Sequence, residues 1–351
     1  MSLVLTIVLA LVLCLPLIAR ASPGRSAPAT AFAAAAPLAT VAAILLTIIT
    51  AILAGVYALI PAVPAVLLLA GQRPRSRRGS RNAAAAAASP GPGSNLGSSS
   101  PDRLVTLRVL SLNVLVGRVA PDVIVGEVER LTPDVFAIQE LTPKLADALA
   151  RTRLSQLLPY SCLEPGPGGR GIGIYSRWPL TDVTAIRGAH RPMPRVTVDP
   201  GQPVTITLVH PHAPVADRQA YWREDLDLLL RSLPAVTGHH LLIGDFNASR
   251  DLRPFRRLLQ AGYADSSDIA RKRPWPGLTF PANVKIPPLM RLDHILVSPT
   301  GPLVHETRHL HVPGTDHLGV LAVMDLPPIA PGAALSAEDA EHAEDTAPAA
   351  D

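Results

Sequence analysis

Residues 241–247 read LLIGDFN, a short apolar strand that runs directly into Asp245 and Asn247. A strand with apolar side chains in succession is typical of a buried position in a sheet. Taken singly, either polar side chain could cap a turn after the strand. The stretch therefore indicates a functional site only if other strands carry polar residues in the same way.

Five further stretches place polar side chains beside short apolar segments. They are SLNV at 111–114, AIQE at 137–140, VHPH at 209–212, RLDHI at 291–295 and GTDH at 314–317. We interpret each of the six as a strand end. Because six coincidences of this kind are hard to explain separately, the pattern predicts one shared site at the edge of a sheet.

The segments between these stretches predict a mixed fold. Residues 204–210 alternate with period two, as a half-buried strand does. Apolar residues at 222, 226, 229, 230 and 233 follow with helical spacing. Strands interspersed with helices, without strict alternation, favour an α/β or α+β sandwich over a Rossmann sheet. The sequence contains neither a P-loop nor a G-x-S-x-G motif, which disfavours a nucleotide switch or a serine hydrolase of that type.

The residue types at the predicted edge suit hydrolysis of a phosphate ester. Glu140, with Asn113 beside it, offers hard oxygen ligands for Mg²⁺, with Mn²⁺ as the alternative. The chain has only two cysteines, Cys14 and Cys162, and no Cys/His cage for zinc. A hard cation is therefore the metal that the sequence predicts.

The remaining polar residues suit acid/base and phosphate-binding roles. Asp245 would deprotonate or orient the attacking water, and Asn247 would donate to a phosphoryl oxygen. His317 would act near the phosphate, oriented by the carboxylate of Asp293. His210 offers a second acid/base or phosphate contact. Together these groups would stabilise charge on a pentacoordinate transition state.

The ordered series SLNV, AIQE, VHPH, GDFNAS, RLDHILVS and GTDHLGV resembles the endonuclease/exonuclease/phosphatase superfamily, with its DNase I-like fold, over residues 104–324. The resemblance implies a four-layer α/β sandwich and a site at one sheet edge. It also implies Mg²⁺ on Glu140 with Asn113, Asp316 near the metal, and a His317–Asp293 pair. It assigns catalytic roles to Asp245 and Asn247.

Some positions keep two interpretations. Either His210 or His212 would supply the phosphate contact; we prefer His210, which is in register with its strand, and place His212 at the substrate rim. Trp275 would line the substrate cleft or pack a loop. His294 is interpreted as structural. The glycine-rich residues 166–173 are interpreted as a turn feeding a strand, with a phosphate cradle as the alternative.

The first 71 residues differ sharply from the rest of the chain. They contain no Asp, Glu or Lys and only two arginines, Arg20 and Arg25. Because about 20 apolar residues cross a bilayer, residues 1–71 predict a membrane anchor of two or three transmembrane helices. A cleaved signal peptide is the alternative for the first apolar run, but the second run would still anchor the protein.

Composition also sets the other boundaries. Residues 72–103 begin with arginines and continue in Ala, Gly, Ser and Pro, which predicts a flexible linker. Residues 104–326 form the predicted catalytic domain, and the acidic residues 327–351 a disordered tail.

The arginines after the anchor favour a cytoplasmic domain by the positive-inside rule. An anchor, a linker and this domain together resemble the membrane phosphohydrolases of the VanJ (teicoplanin-resistance) type, which implies an extracytoplasmic domain acting on a lipid-linked phosphate; we favour this second orientation.

Two alternatives remain for the function. A membrane-tethered nuclease would use a basic cluster that follows GDFN to contact DNA phosphates, namely the arginines at 250, 253, 256, 257, 271 and 273 with Lys272. The same arginines could equally form a solvated helix face, and nucleic acid is not the favoured partner. A binding module with a relic site is disfavoured because every expected catalytic position is filled. The sequence indicates no protein partner.

Overall fold

The computed structural model describes residues 104–233, 236–270 and 277–328, and nearer the N-terminus residues 7, 10–12, 14–16, 36–54, 62 and 64–66. Within this described part of the chain, no helix has both the length and the apolar character needed to cross a membrane. Most of the predicted anchor, the whole linker 72–103 and the tail from residue 329 lie outside the described residues.

The predicted catalytic domain contains two six-stranded sheets. The strands of the first sheet are β1 (Val105–Asn113), β2 (Val135–Gln139), β3 (Tyr160–Glu164), β4 (Ile172–Ser176), β11 (Leu303–His311) and β12 (Leu318–Leu326). Those of the second are β5 (Thr181–Ala185), β6 (Pro194–Val198), β7 (Val204–Val209), β8 (His239–Asp245), β9 (Ala264–Asp265) and β10 (Asp293–Val297). Their orders are β11-β12-β1-β2-β4-β3 and β5-β6-β7-β8-β10-β9.

The helices lie mostly between the strands along the chain. They are α1 (Ala36–Ala54), α2 (Pro121–Leu131), α3 (Pro143–Ala150), α4 (Leu154–Leu157), α5 (Gln219–Ser232), α6 (Arg253–Gln260) and α7 (Ser266–Ile269). The helix predicted from residues 222–233 is α5, and Trp222, Leu226 and Leu229 are buried as its spacing predicts. Asp225 on the same helix is buried too, and its Oδ1 accepts a hydrogen bond from the backbone N–H of His190.

Three apolar clusters account for the layers. The first lies between the two sheets and contains Val109 and Ile243. The second packs α2 and α3 against the first sheet, and includes Leu112. The third packs α5 and α6 against the second sheet, and includes Leu242. Successive residues of the central strands therefore point into different clusters and are all buried, as period-two geometry requires. The arrangement is an α/β sandwich of four layers, consistent with the predicted DNase I-like architecture.

The two sheets share one pattern at their centres. In the first, β1 runs parallel to β2 and antiparallel to β12; in the second, β8 runs parallel to β7 and antiparallel to β10. The carboxyl ends of a parallel pair lie at the same edge, and an antiparallel neighbour begins there. Each sheet consequently brings two strand ends and one strand beginning to that edge.

Candidate active site

The six polar stretches meet at this edge, although two of them are not strand ends. Asn113, Glu140, His210 and Asp245 end or directly follow β1, β2, β7 and β8, as the sequence predicts. The interpretation of RLDHI and GTDH as strand ends was wrong: Asp293 is the first residue of β10, and 315–317 precede β12. Because those strands are antiparallel to β8 and β1, their beginnings lie where the other strands end. Asp293 is directly opposite Asp245 in the register.

Asn113 joins the two halves of the site. Its Nδ2 donates to Oε1 of Glu140 at 3.2 Å and to Oδ2 of Asp245 at 3.0 Å. Its Oδ1 accepts the backbone N–H of Leu115 at 2.9 Å. In this structure the amide nitrogen therefore faces the carboxylates, so that Asn113 orients the predicted metal ligand and the predicted base.

Glu140 is held in an uncommon backbone conformation. Its φ of 64° is left-handed, which is unusual for a residue other than glycine. Oε2 accepts the backbone N–H of Val116 at 2.6 Å, and a Cβ added to Gly169 would lie 3.2 Å from the carboxylate carbon. The glycine-rich stretch is thus a turn against the carboxylate, where the close approach of the 169 backbone favours glycine.

Asp245 lies at the centre of the buried site. Its Oδ1 accepts the backbone N–H of Asn247 at 2.8 Å, and Oδ2 lies 3.8 Å from Nε2 of both His210 and His317. Burial raises the pKa of the carboxyl to about 7; Asp293 adds to this, whereas His317 and the hydrogen bonds oppose it. A carboxyl that titrates near neutral pH is suited to take a proton from water.

His317 is the cation of the site. Its Nδ1 donates to Oδ2 of Asp293 at 2.9 Å, and its ring lies 4.9 Å from that of Phe280. Burial alone would lower the pKa of His317, but the carboxylates of Asp293 and Asp245 outweigh burial and raise the pKa to about 10. The imidazolium is therefore available to stabilise a phosphoryl oxygen.

The two histidines of the VHPH stretch have different environments. His210 is buried, and its Nε2 lies 3.8 Å from Oε1 of Glu140. Burial, followed by the charge of Arg191, lowers its pKa to about 3, so the ring is neutral. His212 is half-buried, and its Nδ1 accepts from Nε of Arg191 at 3.2 Å. The structure therefore places His210 inside the site and His212 at its margin.

The donor set fits a hard divalent cation. One carboxylate oxygen of Asp245 and one of Asp293 lie within 4.8 Å of each other. Oδ1 of Asp316 is buried without a hydrogen-bond partner and lies 4.0 Å from Nε2 of His317. Buried carboxylate oxygens without donors are costly unless a cation satisfies them. Glu140 and the three aspartates supply only oxygen, the ligand that Mg²⁺ and Mn²⁺ prefer.

Asn247 follows the strand with a φ of 48°, and its Nδ2 donates to the carbonyl oxygen of Pro211 at 3.1 Å. This bond uses one of the two N–H groups of the amide. Asn247 therefore connects the ends of β7 and β8 and keeps a second donor. Trp275, the other residue predicted at the substrate rim, lies outside the described residues.

Two threonines that we did not single out in the sequence support the site. Oγ1 of buried Thr279 accepts the backbone N–H groups of Leu292 and Asp293, at 3.0 and 3.2 Å. Oγ1 of Thr315 donates to the carbonyl oxygen of Asn113 at 2.8 Å and accepts the N–H of His317 at 3.1 Å. Thr315 adjoins two site residues in the GTDH stretch, whereas Thr279 has no such signal because its partners lie 13 and 14 residues further along the chain.

His294 is structural, as we expected. Its Nδ1 donates to Asp265 at 2.6 Å, and its Nε2 donates to the carbonyl oxygen of Ala248 at 2.8 Å. Asp265 also accepts from Arg291 at 3.0 Å. Burial would raise the pKa of Asp265, but Arg291 and His294 outweigh it and hold that pKa well below its usual range. This buried network fixes β9 and β10 behind the site.

Several arginines after GDFN are engaged within the chain. Arg250 pairs with Asp268 at 3.2 Å, Arg257 pairs with Asp227, and Arg256 donates to the carbonyl oxygen of residue 251. Residues 271–276, which include two more arginines of the group, lie outside the described residues. The described part of the group therefore serves largely intramolecular contacts, in agreement with the interpretation as a helix face.

Solved structures with the same fold span the catalytic domain. An AP endonuclease from Archaeoglobus fulgidus aligns with a TM-score of 0.53 and 17% identity, covering 63% of this chain and 100% of that one. The 3′ phosphatase NExo from Neisseria, bound to a product DNA hairpin, aligns with a TM-score of 0.50 and 19% identity, covering 62% and 98%. A humanized TDP2 of D. rerio aligns with a TM-score of 0.50 and 16% identity, covering 63% and 99%. At these identities the likeness concerns the fold.

The family assignment rests on the sequence itself. No curated protein matches the chain. The model of the endonuclease/exonuclease/phosphatase family matches residues 110–317, more than half of the 351-residue chain, from within β1 to the residue before β12. The chain belongs to the endonuclease/exonuclease/phosphatase family, and its enzymatic class is that of the phosphoester hydrolases.

Proposed function

We propose that this protein is a membrane-anchored, metal-dependent phosphoesterase that hydrolyses a phosphodiester or a lipid-linked phosphate by attack of water. One observation carries the chemistry: Oδ2 of Asp245 lies 3.8 Å from Nε2 of both His210 and His317, within a buried site that also holds Glu140. A base (Asp245), a cation (His317) and a neutral donor (His210) therefore lie around one small space.

The protonation state of each side chain determines its proposed role in the reaction. Asp245, with its raised pKa, orients the water and accepts its proton. His317, held by Asp293, presents an N–H bearing positive charge to a phosphoryl or leaving oxygen. His210 remains neutral, and Asn247 directs its second amide N–H to the phosphate. Asn113 keeps Asp245 and Glu140 in one orientation through its two donated hydrogen bonds.

Glu140 is the principal residue that would hold Mg²⁺ or Mn²⁺, with Asp316 near it. When bound, such an ion neutralises charge on the phosphoryl group and polarises its oxygens. The resemblance also makes Asn113 a metal ligand. An asparagine binds a metal through Oδ1, so this role requires the amide to be turned so that Oδ1, rather than Nδ2, lies on the side of Glu140 and Asp245. Calorimetric titration of Mn²⁺ into the wild type and Asn113→Asp tests that orientation: a direct ligand predicts tighter binding by the added carboxylate.

The lipid-linked substrate and the extracytoplasmic location rest on the sequence. An uncharged stretch of 46 residues, 26–71, precedes the arginines and the linker, and the domain organisation resembles the VanJ-type membrane phosphohydrolases. Substituted-cysteine labelling of Asp147→Cys, at an exposed position of α3, in intact cells tests the location. Reaction with an impermeant maleimide supports the extracytoplasmic face; protection until lysis places the domain in the cytoplasm.

Hydrolysis is tested with bis-p-nitrophenyl phosphate and the full-length protein in detergent. We expect activity that EDTA removes and Mg²⁺ or Mn²⁺ restores. Glu140→Gln should lower kcat/KM by about 10²-fold or more, since it removes a charged metal ligand. Glu127→Gln, on the outer face of α2, serves as the matched control. Full activity in the presence of EDTA would refute the metal-dependent mechanism.

A membrane-tethered nuclease is the second candidate, favoured by the family of the chain. The described arginines that follow GDFN give it little support, because three of them are engaged within the chain. Nicking of plasmid DNA at low salt, at a rate above that of the hydrolysis of farnesyl phosphates, would establish the nuclease function. Absence of nicking would refute it.

A further inference from the structure

A cluster of arginines lies beside the site, on the side of Glu140. Arg191 belongs to the connection between β5 and β6, and its Nη1 donates to the carbonyl oxygen of Gly169. The backbone of Gly169 packs against the carboxylate of Glu140. The guanidinium of Arg191 is thus separated from the predicted metal ligand by one peptide unit.

Two exposed arginines, Arg170 and Arg218, lie near Arg191. Burial and the charge of Arg170 lower the pKa of Arg191, and Glu140 opposes them. All three arginines act in the same direction on His212: burial first, then the charges of Arg191, Arg218, His190 and Arg170, lower its pKa to about 4. The arginines therefore place several positive charges around one neutral histidine.

These three guanidinium groups form no ion pair with the described part of the chain. Among the described residues, no carboxylate oxygen lies within 4.0 Å of the guanidinium nitrogens of Arg170, Arg191 or Arg218. Elsewhere in the domain, Arg130, Arg177 and Arg257 each pair with an acidic side chain. Glu140 and Asp225 act on Arg191 as counter-charges from beyond ion-pair distance. Like charges gathered without direct ion pairs are unfavourable in the free protein and become more favourable when an anion binds among them.

The orientation of the Arg191 guanidinium suits a phosphate as that anion. The planar guanidinium of Arg191 is fixed at Nε by His212 and at Nη1 by Gly169, which leaves Nη2 to face a ligand. A guanidinium that is already oriented binds phosphate oxygens with little further loss of entropy. His212 accepts at Nδ1, so its proton is on Nε2, where it is a further donor. Tyr221, 45% exposed, lies with its ring 5.9 Å from that of His212 and can contact the body of the substrate.

We propose that Arg170, Arg191, Arg218 and His212 form a second phosphate subsite next to the catalytic one. The substrate class is then an ester that carries a second phosphate close to the scissile phosphate. A lipid diphosphate and a nucleic-acid backbone share this chemistry. The inference rests on the proposed hydrolysis, because the second phosphate is defined by its position relative to the scissile one.

The kinetic test compares substrates with and without a second phosphate. Because an anhydride is intrinsically more reactive than an ester, the dependence of the preference on Arg191 is what reports on the subsite. Farnesyl diphosphate is compared with farnesyl monophosphate, and the p-nitrophenyl ester of thymidine 5′-phosphate with and without a 3′-phosphate. We expect the wild type to favour one two-phosphate member by about tenfold or more in kcat/KM. Arg191→Gln should remove that preference, Arg191→Lys should restore part of it, and Arg151→Gln, at an exposed position directly after α3, should leave it intact.

The pair that shows the preference identifies the source of the phosphate, lipid or nucleotide. Equal kcat/KM values within both pairs, or an equal loss on both members in Arg191→Gln, overturn the subsite while the proposed hydrolysis stands.

A binding measurement separates the subsite from catalysis. Methylenediphosphonate, which is not hydrolysed, is titrated calorimetrically into the full-length wild type, Arg191→Gln and Arg151→Gln at one fixed Mg²⁺ concentration. We expect Kd to rise about tenfold in Arg191→Gln alone. The same Kd in all three proteins overturns the subsite. A selective loss of binding in a protein that hydrolyses none of the esters supports the subsite and refutes the proposed function.

Discussion

Oδ2 of Asp293 accepts a hydrogen bond from Nδ1 of His317 at 2.9 Å, and both side chains are buried. The two residues are 24 positions apart and lie at the beginnings of strands in different sheets. The pair therefore connects the two halves of the domain at the site.

Asp293→Asn removes the negative charge that holds His317 protonated. We expect the pKa of His317 to fall from about 10, because burial is then opposed by Asp245 without Asp293. Activity on bis-p-nitrophenyl phosphate should fall about 10²-fold or more in kcat, since the acid is lost at neutral pH. NMR titration of the histidine ring measures the first effect. Asp147→Asn, on the exposed side of α3, is the control, and unchanged kcat in Asp293→Asn would contradict the pairing.

Thr279→Val keeps the shape of the side chain but removes the oxygen that accepts two backbone N–H groups. Leaving buried donors unpaired should cost about 2 kcal/mol or more in the free energy of unfolding. Because one of the donors belongs to Asp293, kcat should fall more than KM rises. Denaturant unfolding and steady-state kinetics measure the two effects. Thr279→Ser should rescue both, and a defect of equal size in Ser would indicate packing rather than the hydrogen bonds.

Gly244→Ala tests the close contact between β7 and β8. Gly244 has a φ of 143°, and an added Cβ would lie 2.1 Å from the carbonyl oxygen of Val209. We expect a loss of on the order of 2–4 kcal/mol in the free energy of unfolding. Gly126→Ala, in α2, is the matched control, since an added Cβ has no neighbour within 4 Å there. That change should stabilise the protein by about 0.5–1 kcal/mol. Equal stability of the two variants would contradict the geometry.

The buried ring of His240, outside the candidate active site, makes the free energy of unfolding depend on pH. Its ring is bonded to Thr207 and Tyr263, and burial, with the charge of Arg195, lowers its pKa from 6.5 to about 3. Between these values the unfolded chain binds a proton that the folded chain does not. The stabilisation is therefore complete above pH 6.5 and lost as the pH falls towards 3, by about 1.4 kcal/mol per pH unit.

The measurement is denaturant unfolding at several pH values from 7 to 4, in about one-unit steps. His240→Gln should show a smaller slope of the unfolding free energy with pH than the wild type. His305→Gln, on an exposed part of β11, is the control and should keep the wild-type slope. Identical slopes in all three proteins would show that His240 is not responsible.

Much of the site could be predicted from the sequence because its residues adjoin apolar strands. GDFN, AIQE and VHPH each place a polar side chain directly at the end of a buried segment, and local period is enough to locate such ends. The direction of β10 and β12 could not be read in this way, so Asp293 and 315–317 were assigned to the wrong end of a strand. A strand's orientation relative to its neighbours depends on long-range pairing, which the local pattern does not contain.

The sequence by itself determined which residue types the site contains and that they belong to one family of phosphoesterases, because composition and order along the chain are sufficient for both. Only the tertiary structure decided which groups touch. It placed Asn113 between Glu140 and Asp245, His210 rather than His212 inside the site, and Arg191 against Gly169. The physical reason is that protonation and charge balance depend on distance and burial, and both arise only when the two sheets pack together.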